Sequence, residues 1–236
     1  MSKLIIDIET IGEDFEKIDK DTQDILTRWI KNTSNTEEEY KDALNNLKNE
    51  LGFSPLTGEI VAIGVMDYER EQGVVYYQSP EKEAEETREG NFKLKPMREA
   101  EMLENFWQGA NNYDEFITFN GRSFDIPYIL IRSAIHQIEA TRDLMSNRYV
   151  SNQRDAKHID LFDQLSFYGA VRKPGSLHMW CRAFGITSPK VDGVTGDDVA
   201  RLFKEKEYLK IAQYNTRDLV ATKELYEYWS KFMRFS

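Results

Sequence analysis

Two carboxylates stand two residues apart in a run that is otherwise apolar. Asp7 and Glu9 lie among Leu4, Ile5, Ile6, Ile8 and Ile11, with Thr10 between. In a strand, that spacing puts both acids on one face. Two anions buried on a central strand cost several kcal/mol unless a positive partner meets them. No Lys or Arg lies within three residues of either acid, so the partner is either a more distant basic residue or a metal ion; otherwise the strand ends there and the acids reach solvent. Two further clusters can do chemistry. Asn120-Gly121-Arg122-Ser123-Phe124-Asp125 sits where a strand gives way to a helix, the edge at which open α/β sheets bind ligands. Asp125 could equally be a helix N-terminal charge favoured by the macrodipole. Tyr214-Asn215-Thr216-Arg217-Asp218 puts a phenol and a carboxylate four apart on one helix face, a spacing that ordinary surfaces also show.

Taken in order, the three clusters resemble the 3′–5′ exonucleases of the DnaQ-like, ribonuclease H-like superfamily. The subgroup is the one in which a tyrosine joins four acids (DEDDy). Asp7-Ile8-Glu9-Thr10 looks like its first motif, Asn120 through Phe124-Asp125 like its second, and Tyr214-x-x-x-Asp218 like its third. Within the superfamily the likeness is nearest to the proofreading exonuclease of family B DNA polymerases and to stand-alone predicted exonucleases related to it. His158-Ile159-Asp160-Leu161 and Ser188-Pro189-Lys190 add weaker support. The likeness spans residues 3–11 and roughly 58–230, leaving 13–55 outside.

Phosphodiester hydrolysis needs an activated water, a stabilised leaving oxygen and a neutralised phosphate, which two divalent metals about 4 Å apart supply. Oxygen-only ligands suit Mg²⁺ or Mn²⁺. The resemblance implies that Asp7 bridges two such ions, that Glu9 and Asp218 serve the one activating water, and that Asp125 serves the second, partly through water. It implies that Tyr214 orients the water; with a reference pKa near ~10 a phenol is a poor base at neutral pH. The backbone at Thr10 and Ile11 is expected at the terminal 3′ nucleotide, with Asn120 on the substrate strand. Phe124 is a candidate for base stacking, as are Phe53, Trp180 and Phe184, each of which could equally be core. Asp160 reads either as a helix cap or as a fifth metal-site carboxylate. Lys190 could touch a phosphate.

The elements that must position these residues follow from periodicity. Residues 3–9, 59–67, 73–78, 115–119 and 157–161 read as strands, and 97–110, 124–138, the stretch from Ser176 to Gly185, 196–206 and 207–234 as helices. The expected fold is α/β: a ribonuclease H-like mixed five-stranded sheet flanked by helices, in a single domain over 1–236. Residues 13–55 form a helical insertion after the first strand. There Thr36 and Glu39 suit a capping box, and Tyr40, Ala43, Leu44, Leu47 and Leu51 a single stripe. The insertion could be a lid, a packing element or a dimer contact. Residues 80–95 read as a solvated loop.

The chain has 236 residues and a net charge of −10, unevenly spread. Residues 1–120 hold 13 basic and 27 acidic side chains, and residues 121–236 hold 18 and 14. Within 140–190, Arg142, Arg148, Arg154, Lys157, Arg172, Lys173, Arg182 and Lys190 outnumber four aspartates, and the substrate strand is expected to run there. A single cysteine, Cys181, excludes an intramolecular disulfide and a multi-cysteine zinc site. With no apolar run of ~20 residues and acids interrupting the N-terminal apolar run, the reading is cytoplasmic, with no membrane partner. Asp192, Asp197 and Asp198 lack a calcium-loop spacing and there is no P-loop. The leading function is degradation of single-stranded DNA from its 3′ end, releasing nucleoside monophosphates, with any replication or repair partner unnamed. The alternatives are an RNA exonuclease of ribonuclease D type and a binding module without chemistry. A ribonuclease H-like endonuclease would need no Tyr-x-x-x-Asp motif.

Overall fold

A computed structural model describes residues 1–80, 84–190, 193 and 195–234. Seven strands, β1 (Lys3–Gly12), β2 (Gly58–Asp67), β3 (Gln72–Tyr77), β4 (Thr87–Glu89), β5 (Phe92–Pro96), β6 (Glu115–Thr118) and β7 (Lys157–Asp160), form one mixed sheet. Their order is β4-β5-β3-β2-β1-β6-β7. The central β1 runs antiparallel to β2 and parallel to β6. Its alternation splits the core in two. Ile5 and Ile11 face one apolar cluster; Leu4, Ile6 and Ile8 face another, built around Phe106, Trp107 and Ile129. Helices α3 (Glu99–Ala110) and α4 (Asp125–Ile135) cover the Ile8 side, and the long α8 (Tyr208–Phe232) covers the Ile5 side. Asp7 and Glu9 share the parity of Ile5, so both point towards α8.

The α/β class stands as expected, with seven strands in place of five. The two additional strands, β4 and β5, begin at Thr87, within the stretch read as a solvated loop, and end one residue beyond it. Phe92 and Leu94 are buried beside Val75, while Lys93 is exposed between them and Lys95 follows. That two-residue alternation is short and surrounded by charge, so composition hid it. The reading of Asp192 as no calcium ligand falls outside the described residues. Among the described residues, no helix is long and apolar enough to cross a membrane.

The insertion forms α1 (Lys20–Thr33) and α2 (Glu37–Glu50), held by a small core of Phe15, Ile18 and Leu51 with Leu26, Leu44 and Leu47. Thr36 caps α2 through the Glu39 N–H at 3.2 Å, but the Glu39 carboxylate reaches the Asn35 N–H instead, at 2.7 Å. The predicted reciprocal box is therefore displaced by one residue on that side. Ser176 precedes α6 (Leu177–Phe184) without a side-chain cap, and Gly185 ends it in the left-handed region.

Beyond the sheet, α4 is fastened by one buried acid. Glu99 accepts from Arg132 Nε at 2.8 Å and Nη2 at 2.6 Å, and from the Ile60 N–H at 2.8 Å. His136 Nε2 lies 2.7 Å from the same carboxylate. Burial opposes ionisation of Glu99, yet these donors outweigh it and hold the carboxyl below its usual range. Glu99→Ala is expected to cost about 3–5 kcal/mol by stranding Arg132, read as a shift in urea midpoint. Because the folded pKa is depressed, this stabilisation is present above the ordinary glutamate pKa and is lost as pH falls through the lower folded value. The gap between wild type and Glu99→Ala should therefore close in acid.

Candidate active site

Strands β1 and β6 pair only over Lys3–Ile5 and Glu115–Ile117. Past that point they part, and the head of α4 enters the gap. Asp125, its first residue, accepts a hydrogen bond from the Ile8 N–H through Oδ1 at 3.1 Å. One residue further, the register of β1 against β2 shifts between Glu9 and Thr10, a bulge of the kind found where a strand re-aims side chains beside a site.

The loop before α4 is shaped by Asp160. Its carboxylate accepts from the backbone N–H groups of Asn120 at 2.8 Å, Arg122 at 2.9 Å and Phe162 at 2.9 Å. Asp160 is thus the helix cap of the two readings, and its oxygens are taken. Asn120 holds a φ of 65°, which Asn tolerates better than most residues. At Gly121 a Cβ would stand 2.4 Å from Thr118 Oγ1, so the turn needs glycine. His158 is buried, with Nδ1 3.0 Å from the Leu144 carbonyl and Nε2 2.8 Å from Thr118 Oγ1. The carbonyl demands a donor, which places the proton on Nδ1. Burial pushes the imidazole down to about 4, so this histidine is neutral structure and no base.

From the other side α8 brings Tyr214, Asn215 and Asp218. Asp7, Glu9 and Asp218 each offer an oxygen, and these oxygens all lie within 4.8 Å of one another. Asp125 lies outside that trio but adds its charge to the field at Asp7 and Glu9. Among the described residues no Lys or Arg forms an ion pair with Asp7, Glu9 or Asp125. Neutral donors hold the acids instead. Asn215 Nδ2 donates to Asp7 Oδ2 at 2.7 Å, and the Tyr214 hydroxyl hydrogen-bonds Asp218.

Electrostatics follow from this crowding. Burial first, then the charges of Asp218, Glu9 and Asp125, raise Asp7 well above the usual carboxylate range. Burial and Asp218 do the same to Glu9, against an opposing hydrogen bond from Asn215. Burial takes Asp125 to about 7, its N–H bonds resisting while Asp160 and Asp218 add to the rise. Burial takes Asp218 to about 6 against the Tyr214 hydrogen bond and the charges of Arg217 and Lys190. Tyr214, buried and facing Glu9, Asp218 and Asp7, is pushed far up and keeps its proton. A cleft of about 440 Å³ opens over the group, bordered by Asp7, Tyr214, Asp218, Asn120, His178 and Lys190.

The remaining sequence candidates divide. Asn120 and Lys190 border the cleft. Thr10 Oγ1 is spent on the Gly52 carbonyl at 2.8 Å, and the Ile11 side chain is buried core, so contacts there fall to backbone. Phe124 is half-buried and borders Phe53 and Tyr128. Trp180 and Phe184 pack on the core. Arg172 and Lys173 are exposed, just before the Pro174–His178 stretch that borders the cleft. Within the wider basic window, Arg148 pairs with Asp163, Lys157 lies 3.9 Å from Glu115, and Arg142 donates to the Asn111 carbonyl. These three are tied into the fold. The sequence reading also passed over Asn215 and Gly64. Asn215 is fully buried and interrupts an apolar stripe of Ile211, Leu219 and Tyr226, which is the signal that marked it. Gly64 pairs with Asp7 across the sheet, and a Cβ on it would stand 1.8 Å from Asn215 Oδ1.

A mixed sheet carrying acids on its central strand, with a further acid from a helix laid across it, defines a ribonuclease H-like α/β protein. Residues 58–236 match the family described as "Predicted 3'-5' exonuclease related to the exonuclease domain of PolB", and the chain belongs to that family. The match begins after β1, so Asp7 and Glu9 join the site through the structure alone. The family B DNA polymerase from the hyperthermophilic archaeon Pyrobaculum calidifontis has a similar fold, at a TM-score of 0.59 and 15% identity over 98% of this chain. This chain spans 25% of that polymerase. No curated protein matches the chain.

Two outcomes follow from the packing and charge. Gly64→Ala should cost about 1–3 kcal/mol through overpacking against Asn215, seen as a lowered Tm. Because Asp125 and Asp218 titrate higher when folded than unfolded, their protonation stabilises the metal-free protein fully below the ordinary aspartate pKa. That stabilisation is lost as pH rises through about 6 to 7. Asp125→Asn should flatten this decline in a Tm-against-pH series without divalent ions; an unchanged slope would show that Asp125 ionises freely.

Proposed function

We propose that this protein is a metal-dependent 3′–5′ exonuclease that removes nucleoside monophosphates from single-stranded DNA. The observation that carries the reading is the convergence of Asp7, Glu9 and Asp218 oxygens within 4.8 Å, beside Asp125 and under a protonated Tyr214. These residues fit a divalent cation: all their donors are oxygens, which suits Mg²⁺ or Mn²⁺, and among the described residues no Lys or Arg forms an ion pair with Asp7, Glu9 or Asp125. Asp7, Glu9 and Asp218 would hold one or both of two ions, with Asp125 at the second. Bound divalent ions would neutralise the phosphate, lower the pKa of water and stabilise the leaving oxygen.

The chain's own groups divide the remaining work. Tyr214, protonated and hydrogen-bonded to Asp218, orients a water and takes no proton from it. Asn215 fixes the rotamer of Asp7. Asn120 faces the substrate strand, and Lys190 lies near Asp218, where it can meet a phosphate. Phe124 and the backbone at Thr10 and Ile11 border the terminal nucleotide. Arg172 and Lys173 mark the path of the strand behind its end. All of residues 1–236 act as one exonuclease unit in this reading. Kinship with a polymerase-related family favours DNA over RNA.

End-labelled DNA and RNA oligonucleotides, single- and double-stranded, with Mg²⁺ or Mn²⁺, give polarity and substrate class together. Wild type should shorten single-stranded DNA from its 3′ end, and Asp7→Ala and Asp218→Ala should lose this and also weaken Mn²⁺ binding by calorimetry. Full activity in either variant would sink the site. Tyr214→Phe should slow cleavage by ~10²-fold or more, the scale of a positioned group acting on water. A preference for RNA would move the substrate and leave the chemistry.

For the strand path, Arg172→Glu with Lys173→Glu should weaken DNA binding and flatten its dependence on salt. An unaltered salt slope puts the strand elsewhere.

A further inference from the structure

The insertion rejoins the sheet through the turn Leu51–Phe53, and this turn is fixed from two directions. Thr10, one residue past Glu9, donates through Oγ1 to the Gly52 carbonyl at 2.8 Å. Tyr128 and Arg132, on the helix headed by Asp125, donate to the carbonyls of Ser54 and Pro55, each at 3.3 Å. The backbones of Gly12 and Gly52 press together so closely that a Cβ on Gly52 would stand 2.9 Å from the Gly12 nitrogen. On this clamped support the Phe53 ring is 63% exposed. It meets Phe124 edge to face, with centroids 6.4 Å apart, and Phe124 directly precedes Asp125. An apolar ring held rigidly in water, with one anchor beside Glu9 and the other on the helix of Asp125, gains by being covered. The ring thus touches Phe124, which adjoins Asp125 in sequence, and stands on a turn bonded to Thr10, which adjoins Glu9. An aromatic face accepts any base, which suits an enzyme that must digest every sequence.

We propose that Phe53 is a stacking platform for the base of the 3′-terminal nucleotide, so that the insertion supplies one wall of the terminal subsite and Phe124 the other. The inference rests on the exonuclease reading of the same site. It gives the insertion a substrate-binding task distinct from that of a lid or a dimer contact. Ile25 and Trp29 on α1 are exposed as well, but no hydrogen bond ties them to the strand or helix that bears the acids, and they serve as controls.

The test uses the full chain with Ca²⁺ in place of Mg²⁺ and an oligonucleotide carrying 2-aminopurine at its 3′ end, its integrity checked on a gel. Wild type should quench the fluorophore on binding. Phe53→Ala should raise Kd by about 5- to 100-fold, the range measured for base–aromatic stacks, and lose the quench. Phe53→Trp should keep both, and Trp29→Ala should stay within twofold of wild type. An oligonucleotide with an abasic 3′ end should bind wild type at least as weakly as the intact one binds Phe53→Ala, and Phe53→Ala should cause no further loss on the abasic strand. Additive losses, or a Phe53→Ala Kd within twofold of wild type, overturn the proposal. Parallel Mg²⁺ degradation assays separate the two readings. If wild type digests 3′ ends while Phe53→Ala binds them normally, only the platform fails. If wild type digests none, the exonuclease reading fails, whatever the quench shows.

Discussion

Carboxylates that converge on a buried strand repel one another, and most of the fold around β1 answers that repulsion. Two unit charges ~5 Å apart oppose each other by about 3 kcal/mol at an effective dielectric near ~20. Among the described residues no ion pair relieves Asp7, Glu9 or Asp125. The chain supplies neutral donors, one to each of three acids: the Ile8 N–H to Asp125, the Asn215 amide to Asp7 and the Tyr214 hydroxyl to Asp218. Such donors fix geometry without cancelling charge. A lysine in their place would stabilise the empty site and compete with any cation that entered. The unrelieved charge is thus a standing demand for a cation, and a cost in stability without one.

Meeting that geometry takes residues from three distant stretches of chain, and each approach has its own allowance in the sequence. Helix α8 can lie down on the sheet at Asn215 because β2 has Gly64 opposite Asp7. The head of α4 can reach Ile8 because β6 is only four residues long and stops pairing with β1 at Ile5. The loop between them keeps its shape because Asp160 takes three of its and its neighbour's N–H groups. Asp160 is an acid of the same type as the others, only a loop away, yet its oxygens are satisfied by backbone. The difference between a carboxylate satisfied within the fold and one left crowded by other acids here is the supply of N–H donors.

That difference explains what the sequence revealed and what it withheld. Asp7, Glu9, Asp125, Tyr214 and Asp218 stood out because each is polar at a position whose neighbours demand burial, or sits at a fixed spacing from one that is. The central strands and α8 were legible for the same reason, through long apolar periodicity. Strand β5 was not, since Phe92 and Leu94 contribute only two apolar residues between lysines, and their burial depends on Val75, a partner outside any local window. Arg148 and Lys157 looked available because a sequence shows charge but not the Asp163 and Glu115 that meet them. Gly64 and Asn215 were invisible as a pair, because their fit exists only once the helix crosses the strand.

The charge distribution takes its meaning from the same pairing. Many of the acids of the insertion are exposed and matched locally, Asp24 by Lys20 and Lys31, Glu16 by Lys48 and Glu37 by Lys41. Surface pairs of this kind contribute little to stability. The basic excess of the second half is likewise partly consumed inside the fold. Pairs of this kind leave less unmatched charge for a broad cationic face of the sort that gives nucleic-acid coat proteins their affinity. On the exonuclease reading, attraction for a phosphate must arise locally: from ions held by the acid cluster, from Lys190 at the cleft, and from contacts that carry no charge at all. Stacking on exposed rings is the strongest contact of that last kind. With Arg172 and Lys173 exposed just before the Pro174–His178 stretch of the cleft, such contacts would let an acidic protein hold a polyanion near its end on that reading.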